Sequence, residues 1–221
     1  MLQEDSPDND KPTRKQQQRS IVTQQKLLTA AIQAFSENGF KGTSTRDIAE
    51  RAGVHHPLIT YHFKNKDRLW RAAADKVFRD FTRSLSGSLE DHRDKCPKER
   101  MAALIRAYVR YAKSQPALHK VMVQEASYPN PRLDWLIDKY LKPFFEATFK
   151  MLEELQELGV APQGDPKLLF NMIRLSSGGL LALGNELKES SGIDVEDDET
   201  LDAIADMIVK VFLPGEIRES A

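Results

Sequence analysis

An all-α fold is predicted for this chain of 221 residues by two observations. Apolar residues recur at helical spacing along most of the sequence, and no segment shows a sustained alternation of apolar and polar residues. Each helical segment is bounded by proline, glycine or acidic residues, which are the residues that begin and end helices. The predicted architecture is a three-helix N-terminal domain joined by a long helix to a helical C-terminal domain.

The predicted helices follow one another with short connections. The first, Ile21–Asn38, carries Leu28, Ala31, Ile32 and Phe35 at helical spacing and is closed by Gly39. A long connecting helix is predicted from Lys66 to about Asp91. The remaining helices are predicted over Glu99–Ser114, Pro116–Ala126, Pro131–Leu158, Asp165–Lys188 and Glu199–Phe212. Residues 1–19 are polar and lack periodicity, so they are predicted to form a disordered arm.

Residues 42–66 predict two short helices around a glycine turn. Ser44 can cap the first helix through its hydroxyl, and Asp47 three residues later can complete a capping box. Gly53 ends this helix at a position suited to positive φ, and Pro57 lies in the first turn of the second helix. This arrangement is the signature of a helix-turn-helix, whose second helix enters a DNA major groove.

The second helix is predicted to have one buried face and one outward face. Ile59 and Phe63 share the face that would pack on the core. The outward residues are His56, Pro57, Leu58, Thr60 and Tyr61. Hydroxyls and imidazoles can hydrogen-bond base edges or phosphates, while Leu58 and Pro57 can contact a thymine methyl. The alternative, a short surface helix in an ordinary bundle, does not explain why the neighbouring residues also suit DNA.

The charge is distributed unevenly along the chain, although the net charge is only −1. Residues 1–10 carry four acidic residues and no basic one, and residues 72–221 carry twenty basic and twenty-five acidic residues. Residues 11–71, in contrast, contain twelve Lys/Arg and four Asp/Glu. A basic segment in an acidic chain indicates nucleic-acid contact at one end only. Lys11, Arg14, Lys15 and Arg19 form either an arm that touches DNA or a solvated tail.

Residues 27–70, LLTAAIQAFSENGFKGTSTRDIAERAGVHHPLITYHFKNKDRLW, resemble the N-terminal domain of the TetR family of transcriptional regulators. The shared elements are Thr-Ser-x-Arg-Asp-Ile-Ala, Ala-Gly-Val, Tyr-His-Phe and Lys-x-Lys-(acid)-x-Leu, in this order and spacing. Beyond residue 70 the resemblance is limited to a helical plan. It implies a helix-turn-helix DNA-binding domain at residues 20–66 and an effector-binding and dimerisation domain at residues 67–221.

The resemblance also implies a role for each matching residue of the DNA-binding domain. Ser44, Thr45 and Lys66 would bind backbone phosphates, and Arg46 would reach a phosphate or a guanine edge. Tyr61 and His62 would contact phosphates or the groove wall. The base-reading positions are His56, Pro57, Leu58 and Thr60. His55 departs from the family pattern, because a small N-cap residue usually stands there, and we therefore expect a weaker cap.

Two helices of the C-terminal domain predict a dimer interface. Ser177 and Gly178 belong to a run of small residues inside a helix, where glycine costs roughly 1 kcal/mol and suits the close approach of another backbone. The last helix carries an apolar stripe. By resemblance, these helices pair with a second copy to form a four-helix interface. The predicted interface residues are Ser177, Gly178, Leu181, Leu201, Ile204, Ile208 and Phe212.

The central helices contain aromatic, apolar and polar residues suited to a small-molecule pocket. The candidate lining residues are Tyr108, Tyr111, His119, Met122, Trp135, Phe144, Phe170 and Arg174. The effector itself is not identified by the sequence, and no cofactor is predicted. A metal site at His55, His56 and His62 is disfavoured because their spacing is poor and no Cys, Asp or Glu completes it.

The predicted function is a homodimeric DNA-binding regulator, a repressor of a pseudo-palindromic operator that a small molecule releases. The alternative is a ligand-independent dimeric DNA-binding or architectural protein, which the lack of an enclosed cavity would favour. An enzyme is not predicted, because acid pairs such as Glu153/Glu154 or Glu125/His119 lack a nucleophile–base or metal-ligand pattern.

A single cysteine, Cys96, and the absence of a membrane-length apolar run predict a cytoplasmic protein with no membrane partner. Cys96 itself is interpreted as an incidental thiol.

Overall fold

A computed structural model of the chain describes residues 14–216, which form helices and no strand, as predicted. The helices are α1 (Arg14–Gly42), α2 (Thr45–Arg51), α3 (Pro57–Phe63), α4 (Lys66–Asp91), α5 (Pro97–Ser114), α6 (Ala117–Ala126), α7 (Pro131–Leu136), α8 (Lys142–Glu157), α9 (Pro166–Arg174), α10 (Gly184–Ser191) and α11 (Asp198–Phe212). None of these helices, within residues 14–216, has the length and apolar character needed to cross a membrane.

The first helix begins at Arg14, earlier than predicted. Residues 14–19 are therefore helical rather than part of a disordered arm, since Arg, Lys and Gln are good helix formers that extend the amphipathic helix. Lys11, the first basic residue of the predicted arm, lies outside the described residues. Gly39 has φ 68° and interrupts the helical geometry where the sequence predicted the end of the helix.

The chain divides into two compact units, with the boundary between Ala73 and Ala74 inside α4. In the first unit, α1, α2, α3 and the start of α4 enclose a core of large apolar side chains. Its fully buried members are Leu27, Phe35, Ile48, Ile59, Leu69 and Trp70. The buried Thr43 closes the turn after α1, because its hydroxyl donates to the carbonyl oxygens of Ala34 and Gly39 at 3.0 and 2.7 Å.

The second unit contains the remainder of α4 and the helices α5 to α11. Three exposed ion pairs join α5 to α11 in register. Arg106 binds Asp206 at 2.7 Å, Arg110 binds Asp202 at 2.9 Å, and Lys113 binds Asp198 at 2.9 Å. Because these pairs are largely exposed, each adds little stability, and the series marks the side of α11 that lies beside α5.

Two helices that the sequence predicted to be continuous are interrupted by π-helical turns. Ile137–Leu141 separates α7 from α8 and ends two residues before Pro143, which lacks the N–H that an α-helix requires there. Leu175–Gly179 follows α9, and the N–H of Leu180 donates to the carbonyl of Leu175 at 3.1 Å. The predicted helices Pro131–Leu158 and Asp165–Lys188 are therefore each divided.

Candidate functional site

The helix-turn-helix is formed by α2 and α3 as the sequence predicted. Ser44 caps α2, its hydroxyl accepting from the N–H of Asp47 at 3.0 Å. The carboxylate of Asp47 instead accepts from Arg51 at 3.0 Å, and Arg51 also binds Glu37 of α1 at 2.6 Å. Gly53 has φ 63° in the turn, as expected. These contacts hold α2 against α1 and set the start of the turn.

The two faces of α3 also agree with the prediction. Ile59 and Phe63 are buried in the core of the first unit. His56, Pro57, Thr60 and Tyr61 are exposed, and we call these four residues the reading face. The side chain of Tyr61 is 74% exposed although it is large and aromatic. Leu58 lies beside the reading face and is half-buried.

The other predicted DNA-contacting residues surround the reading face in the sequence. Ser44, Arg46 and His55 are exposed, whereas Thr45, His62 and Lys66 are half-buried. Burial lowers the pKa of His62, so its ring is neutral near pH 7 and brings no positive charge to a phosphate. The ammonium group of Lys66 lies 4.5 Å from the centre of the Phe40 ring, a cation–π contact that positions it.

A hydrogen bond between the two helices was not predicted. The Nε2 atom of His56 lies 2.9 Å from the hydroxyl oxygen of Thr45. The helix α3 has no side-chain cap, and its N-cap residue is His56, one residue later than the position at which the family pattern places a small cap residue. The side chain of His56 is therefore bound to α2, although the residue remains exposed.

Two further residues of this region were missed by the sequence interpretation. Lys64 follows α3 at φ 66°, and the N–H of Asn65 donates to the carbonyl of Phe63 at 2.8 Å, so the chain makes a tight γ-turn. The side chain of Asn65 accepts from the N–H of Arg68 at 2.8 Å and caps α4. An Asn just before an apolar periodic segment was an available signal for this cap.

The predicted pocket residues occupy different places in the second unit. A central cavity is lined by Leu104, Tyr108, Phe144, Leu152, Phe170 and Arg174, among others. Only about 20 Å³ of it can hold the centre of a water molecule, so it is closed in this conformation. Tyr111 is committed elsewhere, donating to the carbonyl of Val77 at 3.1 Å. Met122 and Trp135 are half-buried and do not line the central cavity.

His119 is buried and packs against Tyr108 and Gly178. Its Nε2 atom lies 3.1 Å from the hydroxyl of Tyr108. A Cβ on Gly178 would lie 1.9 Å from the same nitrogen, so the absence of a side chain at residue 178 makes room for the ring. The Nδ1 atom is buried and has no hydrogen-bond partner among the described residues. His119 also lines a separate cleft of about 310 Å³, together with Lys120 and Asn185.

Burial lowers the pKa of His119 to about 4, with a further lowering from the positive charge of Arg174. In the folded protein the ring of His119 therefore stays unprotonated below its ordinary pKa of 6.5, down to about pH 4. Because the unfolded chain binds this proton near pH 6.5, the free energy of unfolding falls as the pH falls from 6.5 towards 4. We expect His119 to contribute about 2 kcal/mol to the loss of unfolding free energy between about pH 7 and pH 5.

Urea unfolding of the wild type and of His119→Asn at both pH values measures this contribution. Because other groups also titrate in this range, the informative quantity is the difference between the two pH dependences. The variant should lose about 2 kcal/mol less than the wild type between the two pH values. Equal losses in both proteins would show that His119 is not protected from protonation.

The predicted dimer residues are largely used inside the subunit. Ser177, Gly178, Leu201 and Ile208 are buried within the chain, and Leu181, Ile204 and Phe212 are half-buried. Gly178 faces the ring of His119 rather than another backbone. In the two helices that were predicted to form the interface, other apolar residues are exposed instead. We call the following set the outer face: Leu168, Met172, Leu175, Met207 and Val211.

The acid pairs considered for catalysis are not assembled in the structure. Glu125 is buried and bound by Arg132, whose terminal nitrogen lies 3.0 Å from its carboxylate. Its suggested partner His119 instead contacts Tyr108. Glu153 and Glu154 are exposed on α8. These acids therefore have structural or solvated positions.

Comparison with known proteins identifies relatives of both units. A family model described as "Bacterial regulatory proteins, tetR family" matches residues 27–73. The "HTH-type transcriptional regulator RutR" of Escherichia coli (strain K12) is 22% identical over 205 residues, which cover 93% of this chain and 95% of that protein. The "Probable acrEF/envCD operon repressor" of the same organism is 24% identical, with 89% of this chain and 90% of that protein covered.

Solved structures share the fold over most of the chain. AibR, crystallised in complex with isovaleryl coenzyme A and operator DNA, superposes with a TM-score of 0.70 at 18% identity. The match covers 88% of this chain and 100% of that one. At this identity the likeness concerns the fold alone.

Proposed function

Because this chain belongs to the TetR family of DNA-binding transcriptional regulators, which are not enzymes, we propose that it is a repressor whose homodimer binds a pseudo-palindromic operator. A small molecule that enters the helical body would release the operator. The observation that carries the proposal is the reading face of α3, which exposes Pro57, Thr60 and Tyr61 opposite a fully buried anchor, Ile59.

In the proposed complex, different side chains position the protein and select the bases. Ser44, Thr45 and Lys66 hold phosphates, which supply most of the affinity and its dependence on salt. Arg46, Pro57 and Thr60 contact base edges in the major groove. Tyr61 stands at the groove wall. His56 acts differently from the sequence prediction, because its bond to Thr45 makes it a support for α3.

The second copy is proposed to bind at the outer face. Leu168, Met172 and Leu175 on one segment and Met207 and Val211 on α11 leave apolar side chains in water, which is costly in a monomer. A two-fold dimer places two recognition helices on half-sites about one DNA turn apart. The name of one relative, an operon repressor, favours repression as the outcome of binding.

Release by a ligand is proposed to act through α4. Phe81 and Leu85 of this helix belong to the wall of the body, since the ring of Phe81 lies 5.3 Å from Tyr108 and 5.6 Å from Phe144. The same helix begins at Lys66, inside the DNA-binding unit. A ligand that opens the central cavity would move α4 and would favour a state with lower operator affinity.

The closed cavity also supports the second candidate, a ligand-independent dimeric DNA-binding protein. In that case the operator is bound equally well whatever metabolite is added. Selecting the operator from random DNA and then screening metabolites for release separates the two candidates. Release by one metabolite class favours the ligand-responsive repressor, and no release favours the alternative.

The selected operator also tests the DNA contacts. We expect Thr60→Ala and Arg46→Ala each to weaken binding by about 1–3 kcal/mol, because each removes hydrogen bonds to base edges or phosphates. Lys41→Ala, an exposed basic residue at the end of α1, is the matched control and should change affinity less. The proposal fails if both Thr60→Ala and Arg46→Ala bind as tightly as the wild type.

A further inference from the structure

Asp75 binds three donors that come from two elements of the second unit. Its side chain is only 16% exposed, and both of its carboxylate oxygens are used. The guanidinium of Arg79, one turn later on α4, binds Oδ2, while the ammonium of Lys139 and the hydroxyl of Tyr140 share Oδ1. We call these four residues the Asp75 cluster. Since Lys139 and Tyr140 belong to the π-helical turn Ile137–Leu141, the carboxylate joins that turn to α4.

Aromatic rings pack around the same contact. Tyr140 is buried, and its ring stacks on Phe78 of α4 with the ring centres 5.3 Å apart. The ring of Trp135 meets Tyr140 edge-on at 5.8 Å, and the ammonium of Lys139 lies 4.9 Å from the centre of the Trp135 ring. Burial raises the pKa of Tyr140, so its hydroxyl stays protonated and donates to the carboxylate. The π-helical turn is therefore held on α4 by packing as well as by charge.

The Asp75 cluster lies where α4 enters the second unit. The boundary between the units falls between Ala73 and Ala74, and α4 runs unbroken across it, from Lys66 to Asp91. The first two turns of α4 therefore belong to the DNA-binding unit, and Asp75 follows them directly. A helix is stiff over so short a length, so a change of tilt at Asp75 is carried to those turns.

The other side of the cluster leads to the central cavity. The π-helical turn Ile137–Leu141 continues into α8, and Phe144, Thr148 and Leu152 of α8 line the cavity. The cavity is closed in this conformation, so the Asp75 cluster is formed in the closed state. A movement of α8 that opens the cavity would draw the π-helical turn away from α4. Such turns within helices are frequent at functional sites.

We propose that Asp75 is a positioning residue for operator binding. While it holds Lys139 and Tyr140, α4 keeps the tilt at which the two recognition helices of the dimer fit their half-sites. When these contacts separate, α4 changes its tilt and operator affinity falls, although every residue of the reading face is unchanged. This inference rests on the proposed function, to which it adds the contact that sets the state of α4.

Asp75→Asn tests the proposal, because it removes the charge and keeps the shape of the side chain. In titrations of the selected operator at constant salt, we expect this variant of the full-length protein to bind about tenfold more weakly, as the population moves to a state of lower affinity. Tyr140→Phe, which removes one hydroxyl, should also weaken binding. The double variant should lose less than the two single losses combined, because both remove the same contact.

Substitutions of Lys139 show whether its charge matters. Lys139→Arg should bind the operator as the wild type does, since it keeps both the ion pair and the contact with the Trp135 ring. Lys139→Met, which retains the apolar stem alone, should bind more weakly. Urea unfolding accompanies each titration. A role limited to stability would lower the free energy of unfolding and leave the affinity of the folded protein unchanged.

Asp80→Asn is the matched control. It makes the same change of charge on the same helix, but Asp80 binds Lys76 and Arg83, which lie on α4 itself. Its operator affinity should stay within about twofold of the wild type, because exposed pairs of this kind contribute little. Since both variants lose one negative charge, their comparison removes the general effect of net charge on DNA binding.

Hydrogen exchange gives a second measurement that needs no DNA. In Asp75→Asn the amides of Ile137–Leu141 and of α4 around residue 75 should exchange faster than in the wild type, and in Asp80→Asn those of Ile137–Leu141 should not. The inference is overturned if Asp75→Asn binds the operator as tightly as the wild type, or if Asp80→Asn loses as much affinity. If the wild type itself binds no selected operator, the proposed function fails first, and this inference fails with it.

Discussion

Met172→Glu should convert the protein from a dimer into a monomer and lower its operator affinity by roughly a hundredfold to ten-thousandfold. Met172 is 48% exposed on α9, and in the sequence it lies between Leu168 and Leu175, two other residues of the outer face. In a dimer it would be buried, and an unpaired carboxylate in an apolar interface is strongly unfavourable. The loss of affinity follows because a monomer contacts only one half-site.

Sedimentation of the free protein and titration of a full operator and a half-site measure the two effects separately. Val123→Glu is the matched control, since Val123 is an equally apolar and exposed residue but lies on α6. It should remain dimeric. If Met172→Glu sediments as the wild type does, the second copy does not bind at the outer face, and the mode of dimerisation proposed above is incorrect.

Gly178→Ala should destabilise the protein by about 2–3 kcal/mol, because the new methyl group would overlap the buried ring of His119. The overlap is severe, with a separation of 1.9 Å from Nε2 and 2.3 Å from Cε1. The ring can move only by giving up its contact with Tyr108. Urea unfolding at neutral pH measures the change in free energy.

Two comparisons identify the ring as the cause. Gly87→Ala, inside α4 with nothing within 4 Å of its new Cβ, should stabilise the protein by about 0.5–1 kcal/mol, as alanine usually does in a helix. In a His119→Ala background, Gly178→Ala should cost far less than in the wild type. An unchanged cost in that background would mean that His119 does not explain the glycine.

Helical periodicity was sufficient to predict most of the fold. It assigned Ile59 and Phe63 to the core of α3 and gave both ends of α4 correctly. It did not reveal the π-helical turns, because the apolar residues on each side of such a turn still recur at helical spacing within their own segment. Pro143 was the available signal for the first of them, and it lies inside a helix that had been predicted to be continuous.

The functional residues were predicted less completely, for a physical reason. The helix α11 has apolar residues on two faces, and spacing alone does not show which face meets the chain's own core. The sequence chose Leu201 and Ile208, which are buried, while Met207 and Val211 are exposed. The run of small residues was recognised correctly as a site of close approach, but the approaching group is the ring of His119, which only the folded chain reveals.

The hydrogen bond between Thr45 and His56 has a consequence for redesign of the DNA sequence that this protein recognises. A substitution at residue 56 changes two things at once, the groups offered to DNA and the tie between α2 and α3. Libraries that vary residue 56 alone will therefore mix changes of preference with losses of geometry. Residues 45 and 56 should be randomised as a pair, whereas Pro57 and Thr60 can be varied singly.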